Sequence, residues 1–278
     1  SSAGGKGLNQ AIAAARFGAK TRLLGAMGND EPARMIRAIM QDSDVTDDGI
    51  LVDPDRPTGR AFITLGDDGE NMIIVDAAAN LAFGAREMMG SVRQAVVSLT
   101  QFEAQPDAIE ALFRSDLAGF RILNAAPALT AHGALLELAD LLIVNETEFL
   151  AFTNLSALPD GIETLTEAAR VLLRGAVKHI VITLGARGCL LVDAQTHLLM
   201  EAFRVPVVNT VGAGDCFCGV VAAALAEGMP LALALRYGCA ASALAVGRPG
   251  AADAMPNRAE IDAFLSAMPD GTEPAMAG

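Results

Sequence analysis

A glycine turn followed by an acid is the stretch of this sequence best suited to chemistry. Gly212, Ala213 and Gly214 precede Asp215, and an apolar run with helical character follows at 217–226. The free backbone N–H groups and the positive dipole end of such a helix favour an anion such as phosphate. The carboxylate of Asp215 is placed to take a proton from an attacking hydroxyl group. The alternative is an ordinary helix start, because acids cap many helices and complement their dipoles.

A second glycine cluster lies near the start of the sequence. The run Gly4-Gly5-Lys6-Gly7 leads into a stretch with helical spacing that begins at Leu8, contains Asn9 and ends before Gly18. Paired glycines let the backbone approach a ligand, and Lys6 and Asn9 would then donate hydrogen bonds to hydroxyl groups. The Walker A spacing is absent, since Lys6 is followed by glycine. A flexible loop with a solvated lysine is equally compatible with these residues.

The composition restricts the classes of function. Of 278 residues, 52% are hydrophobic and 19% are charged, which predicts a large core rather than disorder. A net charge of −13 argues against a nucleic acid partner, because phosphate neutralisation needs clustered Lys and Arg. The four cysteines lack metal-ligand spacing, which favours free thiols in a reducing, cytoplasmic compartment. No stretch approaches the roughly 18 apolar residues of a membrane span, and no signal peptide pattern precedes Gly4.

The elements that must position these groups alternate between short apolar runs and helices. Five runs are predicted as strands, at 95–99, 120–123, 141–144, 179–183 and 205–208. Apolar runs that alternate with helices indicate a mostly parallel central sheet with helices on both faces, an α/β fold. Outside these runs we predict a strand at 21–26, helices at 8–17, 31–40, 106–113 and 257–267, and a loose tail at 270–278.

Polar side chains follow each of these runs. Because ligands of parallel sheets bind at the carboxyl ends of the strands, five such clusters at one edge predict a pocket. The polar side chains are Gln101 and Glu103, Asn124, Asn145 to Glu148, Arg187 in its glycine turn, and Asn209. Asn145 and Glu148 also have the spacing of a capping box, and the turn at 183–188 is compatible with an ordinary tight turn.

Residues 59–76 interrupt the α/β rhythm. Strand-like runs at 60–65 and 72–75 flank the polar turn Gly66-Asp67-Asp68-Gly69, a pattern typical of a β-hairpin. We therefore assign residues 1–58 and 77–278 to one discontinuous α/β core and residues 59–76 to a separate β-hairpin.

Four motifs, in order along the chain, resemble those of the ribokinase-like (PfkB) carbohydrate kinases. They are GGKGLNQAIAAARFGA at 4–19, NETE at 145–148, TLGARG at 183–188 and NTVGAGDCFCGVV at 209–221, and the first has the ribokinase-type form. The resemblance covers nearly the whole chain. It implies a ribokinase-like fold and ATP-dependent phosphorylation of a primary hydroxyl of a sugar, with D-ribose first. Another furanose, a nucleoside, fructose or a keto-deoxy sugar acid is the alternative substrate, and an inactive truncated or ligand-binding relative is the alternative function.

The resemblance also implies a role for each matching residue. Asp215 would be the base, and the anion hole would be formed by Gly212, Ala213 and Gly214. The sugar hydroxyls would be held by Gly5, Lys6, Asn9, Glu103 and Asp215. The nucleotide site would be lined by Asn145, Thr183, Gly185, Gly188 and Gly214. Glu148 would organise magnesium through water, next to the nucleotide phosphates.

Two features depart from the family pattern. The family usually has Asp at the position of Asn209, beside a monovalent-cation site that here would involve Asn209 and Val211. Loss of that charge predicts weak or no potassium stimulation. Family members also begin further upstream, so the segment that supplies part of the core sheet and two strands of the sugar lid is expected to be missing. The hairpin at 59–76 would then be half of a lid, which would weaken both closure and a possible homodimer.

Overall fold

The computed structural model describes residues 2–65 and 71–268. In these residues the strands are β1 (Arg22–Met27), β2 (Thr46–Val52), β3 (Arg60–Leu65), β4 (Asn71–Asp76), β5 (Val97–Gln101), β6 (Phe120–Asn124), β7 (Leu141–Asn145), β8 (His179–Thr183), β9 (Cys189–Val192) and β10 (His197–Met200). The α-helices are α1 (Lys6–Phe17), α2 (Glu31–Asp42), α3 (Ala85–Ser91), α4 (Pro106–Arg114), α5 (Glu146–Thr153), α6 (Ile162–Arg170), α7 (Ala213–Ala226), α8 (Leu231–Val246) and α9 (Arg258–Ala267). The predicted turn at 66–69 and the predicted tail at 270–278 lie outside the described residues.

The central sheet has six strands in the order β10-β9-β8-β7-β6-β5. Strands β5 to β8 run parallel to one another, whereas β9 and β10 pair antiparallel at one side. The mostly parallel sheet confirms the predicted α/β fold class. Its parallel strands carry their carboxyl ends to a single edge.

Helices cover both faces of this sheet because its strands are apolar on both sides. In β7, Leu141 and Ile143 join a core with helices α1, α7 and α8, while Leu142 and Val144 join a second core with α3, α4 and α6. All four side chains are at most 1% exposed. Burial of each such side chain stabilises the fold by about 1.5–3 kcal/mol. Alternation along one strand therefore fixes which helices lie on which face.

Two smaller sheets accompany the central one. Strands β1 and β2 form a parallel pair, and β3 and β4 form the predicted antiparallel hairpin. Among the described strands, neither pair is hydrogen-bonded to the six-stranded sheet. The hairpin carries three apolar side chains that are more than half exposed, Phe62, Ile74 and Val75.

The predicted strand at 205–208 is wrong. This segment has no strand pairing, and the N–H groups of Val208 and Asn209 both donate to the carbonyl of Val246, at the end of α8. Pro206 has no N–H to offer a ladder. The valines gave the segment a β-prone pattern, but its backbone hydrogen bonds go to a helix terminus instead.

The remaining features concern helices and thiols. Helix α1 ends at Gly18, whose φ of 119° is the left-handed cap conformation that the sequence predicts. All four cysteines are buried and free. Within residues 2–65 and 71–268, no helix combines the length and the apolar character that crossing a membrane requires.

Candidate active site

The register of the sheet brings polar side chains of neighbouring strands together at its carboxyl edge. Gln101 at the end of β5 pairs with Asn124 at the end of β6, and Asn145 at the end of β7 pairs with Thr183 at the end of β8. Four of the five predicted clusters therefore meet at one edge. The fifth cluster, at Asn209, does not follow a strand. It is followed by helix α7, whose Asp215 is linked to Asn124 through Gln10.

Asp215, the third residue of α7, is held by two side-chain amides of α1. Its Oδ2 accepts a hydrogen bond from Asn9 Nδ2 at 2.9 Å, and its Oδ1 accepts one from Gln10 Nε2 at 3.1 Å. The two helices approach this closely because Gly219 has no side chain. A Cβ at that position would lie 2.3 Å from the carbonyl oxygen of Gln10. A glycine inside α7 thus sets the contacts of the candidate base.

The electrostatic surroundings of Asp215 are mixed. Burial raises the pKa of its carboxyl, and the hydrogen bond from Asn9 and the charge of Lys6 oppose that rise. Lys6 Nζ in turn lies 3.7 Å from Glu103 Oε1. Within the described residues Asp215 accepts from side-chain amides and not from a guanidinium, and burial leaves its pKa raised, so it remains suited to accept a proton.

Two buried acceptors beside Asp215 lack a donor. Oδ1 of Asn9 and Oε1 of Gln101 have no hydrogen-bond partner among the described residues, and these side chains are only 5% and 8% exposed. Asn9 belongs to the first turn of α1. The Gln101 side chain reaches the same place from β5, since a Cβ on Gly7 would meet Gln101 Nε2 at 3.0 Å. Buried polar atoms are rarely left unpaired. The pair therefore suits a ligand that brings O–H groups.

The glycine turn in front of Asp215 has two different glycines. Gly212 adopts a left-handed φ of 81°, and a Cβ there would come within 3.3 Å of Ala251 Cβ, so both conformation and packing favour glycine. A Cβ on Gly214 would meet nothing within 4 Å. The N–H of Ala213 donates to the carbonyl of Thr210 at 3.2 Å, whereas those of Gly214 and Asp215 have no backbone acceptor among the described residues. Open space beside these N–H groups suits an anion.

Asn145 and Glu148 form the capping box that their spacing predicts. Asn145 Oδ1 accepts the N–H of Glu148 at 2.8 Å, and Glu148 Oε2 accepts the N–H of Asn145 at 2.8 Å. Burial raises the pKa of Glu148, which is 4% exposed, while the hydrogen bonds from Asn145 and the charge of Lys6 oppose the rise. The charge of Lys6 thus reaches both candidate carboxylates, Glu148 and Asp215.

Magnesium fits this edge only together with a ligand. No group of three or more His, Cys, Asp or Glu side chains in residues 2–65 and 71–268 is arranged to hold a metal by itself. Mg²⁺ at phosphate sites usually needs one or two carboxylates, with water and phosphate oxygens as its other ligands. Glu148 has lone pairs beyond its two capping bonds and satisfies that requirement.

The turn between β8 and β9 lies next to the capping box. Arg187 in this turn forms an ion pair with Glu146, the first residue of α5. Gly188 is required by the fold, since a Cβ would lie 1.9 Å from the carbonyl oxygen of Met200. Gly185 has a left-handed φ of 55° and open space around it. The turn therefore presents bare backbone at the same edge as Asn145.

The residues predicted for a monovalent cation are hydrogen-bonded within the chain. Asn209 Oδ1 accepts the N–H of Val211 at 3.0 Å, which leaves Nδ2 to donate to the carbonyl of Gly250 at 3.1 Å. The carbonyl of Gly250 therefore already accepts a hydrogen bond from a side chain. Asn209 thus joins the loop before Gly212 to the loop around Gly250 by hydrogen bonds.

Sequence reasoning missed Gln10. It lies next to Asn9 in the N-terminal motif, yet no role follows from its position in an apolar helix. Its burial, at 3% exposed, and its bond to Asp215 appear only in the structure. A glutamine among buried helical positions is the single sequence signal that could have marked it.

The sequence of the chain matches a family of known proteins over most of its length. Residues 1–258 match the pfkB family carbohydrate kinase. The chain is 34% identical, over 93% of its length, to the bifunctional ribokinase/ribose-5-phosphate isomerase A of Fructilactobacillus sanfranciscensis, and it spans about half (48%) of that protein. It is 31% identical to the ribokinase of Haemophilus influenzae, with 94% of this chain and 87% of that protein covered.

A solved structure agrees with these matches. Arabidopsis thaliana ribokinase, complexed with ribose and ATP, superimposes with a TM-score of 0.82 at 28% identity, over 94% of this chain and 87% of that chain. The family match extends over all four motifs and over every candidate residue described above. The chain therefore belongs to the pfkB family of carbohydrate kinases.

Proposed function

We propose that this protein phosphorylates the primary hydroxyl of D-ribose with ATP and forms ribose 5-phosphate. One observation carries the proposal. The carboxylate of Asp215 lies at the N-terminus of a helix beside Asn9, which has a buried acceptor without a donor. A base, an anion-binding helix end and an unpaired acceptor for a hydroxyl thus meet at one place. Similarity to ribokinases favours ribose as the sugar.

In the proposed reaction Asp215 accepts the proton of the ribose 5-hydroxyl. The hydroxyl oxygen forms a bond to the γ-phosphorus of ATP as the bond to the bridging oxygen breaks, and ADP leaves. Backbone N–H groups of Gly212, Ala213 and Gly214 would hold the transferring phosphoryl group. Since the transition state is loose, positioning and neutralisation of charge contribute more than early proton removal.

The remaining sugar hydroxyls would bind around the start of α1. Asn9 and the Lys6–Glu103 pair lie beside Asp215 and offer both donors and acceptors. Gly5, with a φ of 106°, caps α1 and has no neighbour where a side chain would lie. A ribose hydroxyl there would find bare backbone.

ATP would bind along the neighbouring edge of the sheet. The residues proposed for it are Asn145, Thr183, Gly185, Gly188 and Gly214. Glu148 would hold Mg²⁺ through water, and the ion would neutralise phosphate charge. Asn145 orients Glu148 through the capping box, so both act from a fixed helix end.

Three further properties are proposed from the sequence and the site. Potassium stimulation should be weak, because Asn209 already bonds to Gly250. The hairpin at 59–76 would form part of a lid over the sugar, and its exposed Phe62 and Val75 support either that role or contact with a second copy in a homodimer. The four free thiols support a cytoplasmic location.

The test is ADP release by the purified chain with MgATP and a panel of acceptors. The panel contains D-ribose, other furanoses, ribonucleosides, fructose and a keto-deoxy sugar acid. We expect the highest kcat/KM with ribose. A higher value with another acceptor would reassign the substrate, and no turnover by folded, ATP-binding protein would favour a ligand-binding relative.

A further inference from the structure

Gln10 occupies an unusual place for a neutral side chain. It is 3% exposed, and its Nε2 lies 3.1 Å from Asp215 Oδ1 and 3.2 Å from Asn124 Oδ1. A side-chain amide nitrogen carries two protons, so these two bonds use both. Gln10 therefore connects the candidate base on α7 to the carboxyl end of β6.

We propose that Gln10 is a positioning residue that fixes the carboxylate plane of Asp215 for proton transfer. This inference rests on the proposed kinase function. A carboxylate on a helix end can rotate about its last side-chain bond unless both oxygens are held. Asn9 holds Oδ2 and Gln10 holds Oδ1, but only Gln10 is in turn anchored to the central sheet, through Asn124.

The chemistry of an amide suits this position better than that of a cation. Arg or Lys at position 10 would also donate to Asp215, but a positive charge 3 Å away would lower the pKa of the base. A glutamine orients the carboxylate without adding a charge. The same amide also donates to Asn124 Oδ1, a buried acceptor that would lose this bond if the amide were removed.

The alternative is that Gln10 only satisfies buried polar atoms. The variant Gln10→Glu tests whether residue 10 acts directly on the base, because its shape is nearly unchanged, and the loss of kcat in a neutral variant then separates the two roles. Its carboxylate would lie against Asp215 and shift the acid limb of the kcat/KM profile upward by about one pH unit or more. Turnover lost at pH 7 should then return at higher pH. A side chain that does not contact the base would not move the limb.

A second variant removes the donors without adding a charge. Gln10→Met keeps length and approximate volume, and should lower kcat about 10- to 100-fold while the KM for ribose and ATP stays within about two-fold. The matched control is Ile12→Val on the same helix, which is fully buried and whose apolar side chain can form no hydrogen bond to Asp215. It should leave kcat and the pH profile unchanged.

The outcomes are distinguishable. An active wild type with a shifted limb in Gln10→Glu and a kcat loss in Gln10→Met is the expected result. If the wild type is active and the acid limb of the kcat/KM profile is unmoved in Gln10→Glu, the role of Gln10 is overturned but the proposed function is not. The same conclusion follows if both variants fail to fold while Ile12→Val folds. An unchanged kcat in folded Gln10→Met would also overturn the role of Gln10, whatever the outcome of Gln10→Glu. An inactive wild type would overturn this inference together with the proposed function.

Discussion

Two helices of this protein begin with the same capping box in different surroundings. Asn145 and Glu148 open α5, and Asn257 and Glu260 open α9 with the same reciprocal bonds. Glu260 lies at the surface, where hydrogen bonds from Arg248 and from the backbone of Asn257 lower its pKa. Glu148 is buried at the carboxyl edge of the sheet, where burial raises its pKa. A shared motif therefore explains the helix start in both places, and only the surroundings mark one glutamate as a candidate ligand.

The same contrast separates two aspartates at opposite ends of the sheet. Asp140 precedes β7 at its amino end; burial alone would raise its pKa, but hydrogen bonds from the side chain and backbone of Arg121 outweigh that effect and lower it. Asp215 is held by neutral amides and its pKa is raised. In these two comparisons, Glu260 and Asp140 have guanidinium partners, whereas Glu148 and Asp215 are held by amides.

The largest expected effect is on turnover when the base is removed. Asp215→Asn should lower kcat by about 10²–10⁴-fold, the usual contribution of general base catalysis, with ATP affinity nearly unchanged. Because burial disfavours the charged carboxylate, the variant should also resist urea at least as well as wild type at pH 7. Asp140→Asn is the control, with normal kcat. Near-normal turnover in Asp215→Asn would show that another group takes the proton.

The two capping boxes allow a matched comparison. Glu148→Gln and Glu260→Gln should each lower the free energy of unfolding by about 0.5–1 kcal/mol, since each weakens a cap. Only Glu148→Gln should also raise the Mg²⁺ concentration for half-maximal activity, by about 10-fold or more. Magnesium titrations of ADP release at fixed ATP provide the measurement. Equal magnesium responses would make Glu148 a cap and nothing else.

Acid should affect stability and activity through different aspartates. The pKa of Asp140 is lowered from 3.8, so the stability from its pairing with Arg121 is present above that value and is lost as pH falls through the folded pKa. Urea unfolding from pH 6 to 2 should therefore show a smaller acid loss in Asp140→Asn than in wild type. Activity should fall at higher pH than stability, because the pKa of Asp215 is raised. Parallel loss of both on acidification would contradict this separation.

The smallest expected effect is that of potassium. At constant ionic strength, adding potassium should change the wild-type rate by less than about two-fold, because Asn209 carries no charge and its Nδ2 already donates to the carbonyl of Gly250. Asn209→Asp restores a carboxylate and should become potassium-dependent. A several-fold stimulation of wild type would refute the assignment.

The sequence predicted the parallel core, and most of the candidate site residues were chosen from it, for identifiable reasons. Apolar runs such as 141–144 are buried on both faces, and the glycine motifs and acids were readable as local patterns. Strand β2 was missed because two acids and a glycine follow the first residue of its sequence, TDDGILV. The segment at 205–208 was wrongly predicted as a strand. Its β-prone pattern cannot reveal that the N–H of Val208 donates to the carbonyl of Val246, at the end of α8.

Contacts between helices were the least predictable part of the site. Gln10 and Asp215 are 205 positions apart, and they meet only because Gly219 lets α1 and α7 approach. Likewise, the Asn209 side chain could be read as a lost charge, but its bond to Gly250 depends on a loop 41 positions away. A sequence shows which residue types are present, whereas packing determines the partners that set their chemistry.

The most direct test of the account is a phosphorus NMR spectrum of the products formed from MgATP and D-ribose. Transfer to the primary hydroxyl predicts ADP together with a new phosphomonoester signal split into a triplet by the two protons of the adjacent CH₂ group. A doublet would place the phosphate on a carbon with one proton. Inorganic phosphate alone, or no new signal from folded protein that binds ATP, would contradict a kinase that acts on ribose.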